Sequence, residues 1–308
     1  MDITTRLTHD EVIIIDGAMG TEMQLRGVPM NFEIWSAVAL LSHPKIVRDI
    51  HVDYIRAGAE IQIAATYNTA PHVINPSSFD TSSKELTKAA FRLVREGIDV
   101  AEPAHPVWIA GSISTTVESR RKEMLDVQML RDSFTQHAEN LAEQGCDLLM
   151  LEMMLTHEFA MDFDFQAEIA AIAKRTGLPV WAGIAVKMTQ DGVLHLQDGA
   201  EDSGDVLNKG IEALLAEGVD VAGIMHSEVE ATLPALELLE NYWSGPVAVY
   251  PNSGSYSRPH WYFDSVITPE EFAADASQWA RRGVNAIGGC CGIGPEHILE
   301  LSKALGRR

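Results

Sequence analysis

The sequence predicts a single (β/α)8 barrel, and three observations lead there. Eight short apolar runs, rich in β-branched residues, each precede a longer amphipathic segment. The runs are continuously apolar rather than alternating, as suits parallel strands covered on both faces. A small signature also returns ahead of several runs: Arg56-Ala57-Gly58-Ala59, Glu143-Gln144-Gly145-Cys146, Ala216-Glu217-Gly218-Val219 and Arg281-Arg282-Gly283-Val284. Strand-then-helix repetition of this kind builds a barrel. The alternative is a doubly wound open sheet, but no GxGxxG turn follows the first run.

In chain order, the predicted strands are Glu11–Asp16, Glu60–Thr66, Pro106–Ser112, Asp147–Glu152, Leu178–Val186, Asp220–His226, Pro246–Tyr250 and Asn285–Cys290. Between the first two, Pro44–Ala57 places Ile46, Ile50 and Tyr54 on one face at helical spacing. Gly58, Gly145, Gly177, Gly218 and Gly283 each stand where a helix hands over to the next strand, as C-cap glycines do. The polar stretches Asn75–Ser83 and Asn252–Pro259 follow strands, where a barrel carries its active site. No linker or low-complexity tract divides the chain, so residues 1–308 are expected to form one domain.

The chain of 308 residues is 46% hydrophobic, enough for one large core. No run approaches the length of a membrane span, and the first residues lack the pattern of a signal peptide. Three cysteines, two of them adjacent, make no disulfide framework. These features lead to the expectation of a soluble cytoplasmic protein with no membrane partner. The formal charge of −21 repels phosphate backbones and argues against nucleic-acid partners. Self-association into a homo-oligomer is left open.

In a barrel the C-terminal strand tips converge. The polar residues ending the predicted strands are Asp16, Tyr67, Ser112, Glu152, Lys187, His226, Asn252 and the pair Cys290 and Cys291. The cysteines sit in Gly288-Gly289-Cys290-Cys291-Gly292. Strands six and eight flank strand seven, so His226 and the cysteines can meet, leaving a fourth position open as in a catalytic zinc site. The competing structural reading makes the cysteines small packing residues and His226 a hydrogen-bonded core histidine. Cys146 is read as a buried small residue. Glu152 ends an apolar strand, and its burial demands a cationic partner or ligand.

Asp16-Gly17-Ala18-Met19-Gly20-Thr21-Glu22 with Arg26-Gly27, Ala57-Gly58-Ala59 with Thr66-Tyr67, Tyr250-Pro251-Asn252-Ser253-Gly254, and the Gly-Gly-Cys-Cys-Gly stretch with Pro295-Glu296-His297-Ile298 resemble the homocysteine S-methyltransferases. The resemblance runs from residue 16 to residue 298 in the family's order. It implies a (β/α)8 barrel, a zinc ion on three cysteines, and transfer of a methyl group from a small cationic donor to homocysteine, forming methionine. By resemblance, Asp16, Gly17 and Glu152 surround the substrate's amino group and backbone. Tyr67 and Asn252 lie near the bound molecules.

Two departures stand out. Where the family carries Gly-x-Asn-Cys at the end of strand six, this chain reads Gly223-Ile224-Met225-His226. Where a Gly-Pro turn follows strand three, it reads Gly111-Ser112-Ile113-Ser114-Thr115. Zinc is expected on His226, Cys290 and Cys291. Two thiolates and an imidazole leave such a site neutral, where three thiolates would leave it at −1. The alternatives are a diverged enzyme acting on another thiol or acceptor, a barrel enzyme with Lys187 as a Schiff-base lysine, and a binding module without turnover. The aromatic segment Tyr256–Phe263 is open to two readings, as a packing loop or as a cation–π cover for a donor.

Overall fold

The structure, a computed structural model, describes residues 1–115, 126–155, 163–197 and 204–307. Eight parallel strands form the barrel: β1 (Ile13–Ile14), β2 (Ile61–Ile63), β3 (Trp108–Ser114), β4 (Leu148–Met154), β5 (Val180–Ile184), β6 (Val221–Glu228), β7 (Val247–Asn252) and β8 (Ala286–Ile287). Each pairs with its neighbour in chain order from β2 to β8, and β8 pairs with β1. A parallel bridge between Ile15 and Ile61 closes the ring.

Among the described residues, eight helices of ten residues or more surround it: α1 (Pro44–Ala57), α2 (Ser83–Ala101), α3 (Val127–Glu143), α4 (Phe163–Lys174), α5 (Gly204–Ala216), α6 (Val229–Leu239), α7 (Pro269–Arg281) and α8 (Pro295–Ala304). The barrel is thus the expected one. The helix foreseen over Pro44–Ala57 has those bounds, with Ile50 and Tyr54 fully buried. All five handover glycines take left-handed φ, between 70° and 116°. Among the described residues no helix is long and apolar enough to cross a membrane.

Two strands are shorter than the apolar runs suggest. The run at 285–290 pairs only over Ala286–Ile287. A Cβ on Gly288 would sit 2.5 Å from the Asp16 carbonyl oxygen, so here the chain leaves the sheet and turns tightly against β1. The run at 178–186 ends as a barrel strand at Ile184. Val186–Met188 then pairs antiparallel with Leu194–Leu196, and Lys187 is exposed on that hairpin rather than at the tip of β5.

Alternation divides the core in two. Ile14, Leu149, Leu151, Ile224 and Val249 face the helices, while Ile13, Ile61, Trp108, Met150, Trp181, Val221 and Tyr250 fill the barrel. At the N-terminal end the short helix Ile3–Arg6 adds Ile3 to the inner cluster. Arg6 there makes a two-pronged pair with Glu60, at 3.1 Å and 3.2 Å, both side chains nearly buried. Removing one partner of such a pair strands the other charge. Arg6→Ala is therefore expected to destabilise the fold by about 3–5 kcal/mol in urea unfolding. Arg6→Met with Glu60→Leu should recover most of the loss.

Two histidines lie between the sheet and its helices. His51 Nδ1 donates to Gln62 Oε1 at 2.9 Å, and His137 Nε2 to the Ser112 carbonyl at 3.2 Å. Burial pushes the pKa of each down to about 4, against the raising effect of those hydrogen bonds. A histidine free in the unfolded chain titrates near 6.5. Below that pH the unfolded state takes up protons that the native state refuses, so stability falls as pH drops from 6.5 towards 4. With two such residues the slope approaches about 2–3 kcal/mol per pH unit. Unfolding free energies measured at pH 7, 6 and 5 should show it, and replacing either histidine by Gln should roughly halve their share.

Candidate metal and substrate site

Two irregularities at the C-terminal mouth of the barrel shape the site. The β4–β5 register shifts between Leu151 and Met154, and the β6–β7 register between Met225 and Glu228. Met153 (φ 59°) and His226 (φ 54°) take left-handed backbone there, which side chains other than glycine adopt at a cost. Along β6, Val221 and Met225 face the barrel interior, so strict alternation would turn His226 towards the helices. The bulge brings His226 back in. Met225, which stands where the family has asparagine, fills the space over Gly183, where a Cβ would meet its sulfur at 2.3 Å.

His226 links two other strand tips. Its Nε2 lies 2.7 Å from Glu152 Oε2 at the end of β4, and its Nδ1 lies 3.4 Å from Cys290 Sγ beyond β8. With the Glu152 oxygen as acceptor, Nε2 donates and Nδ1 is left facing the sulfur. Ser112 Oγ donates to the other oxygen of Glu152. Cys290 Sγ stands 3.9 Å from Cys291 Sγ. Ligand atoms of Glu152, His226 and Cys290 all lie within 4.8 Å of one another. Burial pushes the Cys290 thiol well above its usual range, and the Cys291 sulfur and the Glu152 carboxylate push the same way.

The cysteine turn is held by backbone on both sides. Cys290 N–H donates to the Pro251 carbonyl at 2.7 Å, and Ser253 N–H to the Cys291 carbonyl at 2.8 Å. Gly292 N–H donates to Thr21 Oγ1 at 3.2 Å. Asp16 is wholly buried below them. Its Oδ2 accepts from Ile63 N–H at 2.8 Å and its Oδ1 from the Tyr250 hydroxyl at 3.2 Å. Burial raises its pKa well above the carboxylate range, against the lowering effect of those two bonds. Tyr250 also donates to the Gly17 carbonyl at 3.0 Å. A Cβ on Gly17 would fall 2.5 Å from the Ile293 carbonyl and from the Tyr54 ring, so only glycine lets these parts close up.

A line of aromatic rings leads outward from His226. Tyr67 lies 5.6 Å from it, Trp35 6.3 Å from Tyr67, and Tyr256 6.5 Å from Trp35. The aromatic segment at 256–263 is mostly a hairpin, Ser255–Ser257 with His260–Tyr262. Gln24 pins it through both sides of its amide to Trp261. Trp261 packs inward while Tyr256 and Tyr262 are exposed.

The expected residues therefore converge unevenly. His226, Glu152 and Cys290 meet, Cys291 touches them through Cys290, and Tyr67 adjoins His226. Asp16 and Gly17 meet at Tyr250. Asn252 ends β7, and its buried Oδ1 finds no hydrogen-bond partner among the described residues. Lys187 stands on the outlying hairpin, which disfavours a Schiff-base role. Burial drives the Cys146 thiol up to about 12, in keeping with a packing residue. The direct bond between His226 and Glu152 leaves no mark in the sequence, although both residues end strands in one ring. Trp35 was missed too, and its neighbours in sequence carry no signal of its position.

A closed parallel barrel with acidic, sulfur and imidazole groups gathered at its C-terminal mouth defines a (β/α)8 barrel enzyme. The homocysteine S-methyltransferase family profile matches residues 13–305. The chain is 28% identical to the homocysteine S-methyltransferase of Escherichia coli strain K12, over 96% of each chain. It is 26% identical to the selenocysteine methyltransferase of Astragalus bisulcatus, over 95% of this chain and 92% of that one. The crystal structure of the homocysteine methyltransferase MmuM from Escherichia coli, metallated form, superposes with a TM-score of 0.73 at 26% identity, covering 96% of each. This chain belongs to the homocysteine S-methyltransferase family and is a methyltransferase enzyme.

Gly292 (φ 85°) locks the cysteine turn, since a Cβ there would fall 1.9 Å from the Ser253 carbonyl oxygen. Gly292→Ala is expected to cost about 2 kcal/mol or more. The same change should speed modification of Cys291 by a thiol reagent, because the turn must open to relieve the clash.

Proposed function

We propose that this enzyme is a zinc-dependent S-methyltransferase that moves a methyl group from a small cationic donor, of sulfonium or betaine type, to the thiol of homocysteine, forming methionine. The observation that carries the proposal is the spacing of the donor atoms. Zinc–sulfur bonds of about 2.3 Å and zinc–nitrogen bonds of about 2.0 Å, set at tetrahedral angles, separate S from N by about 3.5 Å and S from S by about 3.8 Å. Here Cys290 Sγ lies 3.4 Å from His226 Nδ1 and 3.9 Å from Cys291 Sγ; the donor atoms mutually within 4.8 Å are those of Glu152, His226 and Cys290, and Cys291 joins them through Cys290. One imidazole and two thiols are also a donor set that suits zinc. The proposed ligands are His226, Cys290 and Cys291, with one position left for the acceptor sulfur.

Zinc bound there supplies the positive charge that keeps thiols ionised at neutral pH. The rest falls to the chain. The acceptor sulfur forms its bond to the methyl carbon as the donor's bond to that carbon breaks, the electron pair leaving with a donor that becomes neutral. The chain's part is to hold the two in line and exclude water. Tyr67 lies beside His226 and Trp35 beside Tyr67, and a methyl group on a cationic centre is attracted to aromatic ring faces. Asp16 and the Gly17 backbone are assigned to the acceptor's amino end. Burial raises the Asp16 pKa, with Glu152 pushing the same way, and an ammonium arriving beside it would favour its charged form. Residues 1–308 are read as one catalytic domain.

The test is metal analysis followed by a donor panel. Purified protein should hold about one zinc per chain, and His226→Ala should hold much less. Absence of zinc from the wild type, or unchanged zinc in His226→Ala, would defeat the proposal. Zinc-loaded enzyme with homocysteine should form methionine from a sulfonium or betaine donor, and from neither if the acceptor has changed.

A further inference from the structure

Glu152 is the residue whose surroundings fit its expected role least well. The family resemblance assigns it to the acceptor's ammonium group. In this chain both of its oxygens already have protein donors, the Ser112 hydroxyl on Oε1 and His226 Nε2 on Oε2 at 2.7 Å. The side chain is 5% exposed, so an ammonium group reaching it must share these oxygens with Ser112 and His226 or displace them.

We propose that Glu152 is a positioning residue for His226 and not the carboxylate that recognises the acceptor's ammonium group. The proposal rests on the reading of His226 as a metal ligand. Three observations support it. The bond to Glu152 fixes which ring nitrogen carries the proton, leaving Nδ1 aimed at Cys290. A carboxylate on the far nitrogen of a ligating histidine is the usual means of orienting such a ring. The His226 backbone is left-handed, at φ 54°, so the residue does not hold this orientation by local preference and needs an outside restraint.

A consequence follows for specificity. With Glu152 engaged, the acceptor's amino group is left to Asp16, whose two oxygens already accept from Ile63 N–H and Tyr250. The acceptor is then held chiefly by its sulfur. A site built around an amine rejects the analogue lacking it by about 10⁴-fold or more. This enzyme should discriminate against 4-sulfanylbutanoate, which is homocysteine without its amino group, by about a hundredfold or less.

Two variants separate the roles. In Glu152→Gln the amide oxygen still accepts from Nε2 but offers no charge to an ammonium group, whereas Glu152→Ala offers neither. Zinc affinity is measured by competition with a chromophoric chelator, and binding of homocysteine and 4-sulfanylbutanoate by calorimetry. Thermal unfolding checks that both variants fold. The expected result is a loss of zinc affinity of about 10- to 100-fold in Glu152→Ala, largely restored in Glu152→Gln, with the preference for homocysteine over its analogue unchanged in both. The overturning result is full zinc affinity in both variants, with homocysteine binding lost equally in both and analogue binding intact. If the wild type binds no zinc, the metal reading fails by itself. The positioning role is then decided on the metal-free protein by ¹⁵N shifts of His226. A proton fixed on Nε2, lost in Glu152→Ala and kept in Glu152→Gln, upholds it, and a proton distribution unaffected by either change overturns it.

Discussion

A carboxylate taken out of water must be given donors, and in this barrel the requirement falls on Glu152. Its position at the tip of β4 is set by the pleat, which points it inward beside Ser112 on the next strand. Its second oxygen is satisfied only because β6 bulges and turns His226 towards the axis. That same turn sets the imidazole against Cys290, 64 residues further along the chain. Strand tips β3, β4 and β6 and the turn after β8 are thereby joined through one ionisable group. The cysteine turn, Tyr67 and the aromatic hairpin are arranged around that junction.

Much of the architecture was legible in the sequence because burial on both faces leaves a plain mark. The continuous apolar runs at 147–152 and 220–226 correspond to β4 and β6, and the handover glycines stand where left-handed backbone is required. The approach of His226 to Cys290 was also legible, since parallel closure brings the tips of strands six and eight together. Three things were not. The ends of β5 and β8 depend on close backbone approaches, at Gly288 for example, that a run of apolar letters does not reveal. The bulges at Met153 and His226 break the alternation from which facing is inferred. The partner of Glu152 is another residue already named, but pairing two strand-tip residues requires knowing both bulges at once.

The two substitutions within the strand-six motif are structurally linked. Met225 and His226 are consecutive, and both face the interior because the strand bulges between them and Glu228. Met225 takes up the room that Gly183 leaves on β5, completing the hydrophobic layer directly beneath the polar cluster. An apolar floor of this kind lowers the local polarisability and strengthens the hydrogen bonds above it. The histidine and the methionine are therefore best regarded as one change in the lining of the mouth. Charge follows the same logic: a neutral imidazole in place of a thiolate takes one negative charge out of the cluster beside Glu152.

The ring nitrogen opposite Cys290 also bears on how the site responds to oxidants. Two thiols on separate strand tips, brought within bonding reach, can close into a disulfide that welds the mouth shut. An imidazole has no sulfur to offer. The sulfur near Cys290 belongs to Cys291, the next residue, 3.9 Å away, and a bond between neighbours strains the peptide that joins them. By exchanging a cysteine for His226, this barrel gives up a cross-strand route to oxidative closure while keeping a soft-donor cluster at its centre.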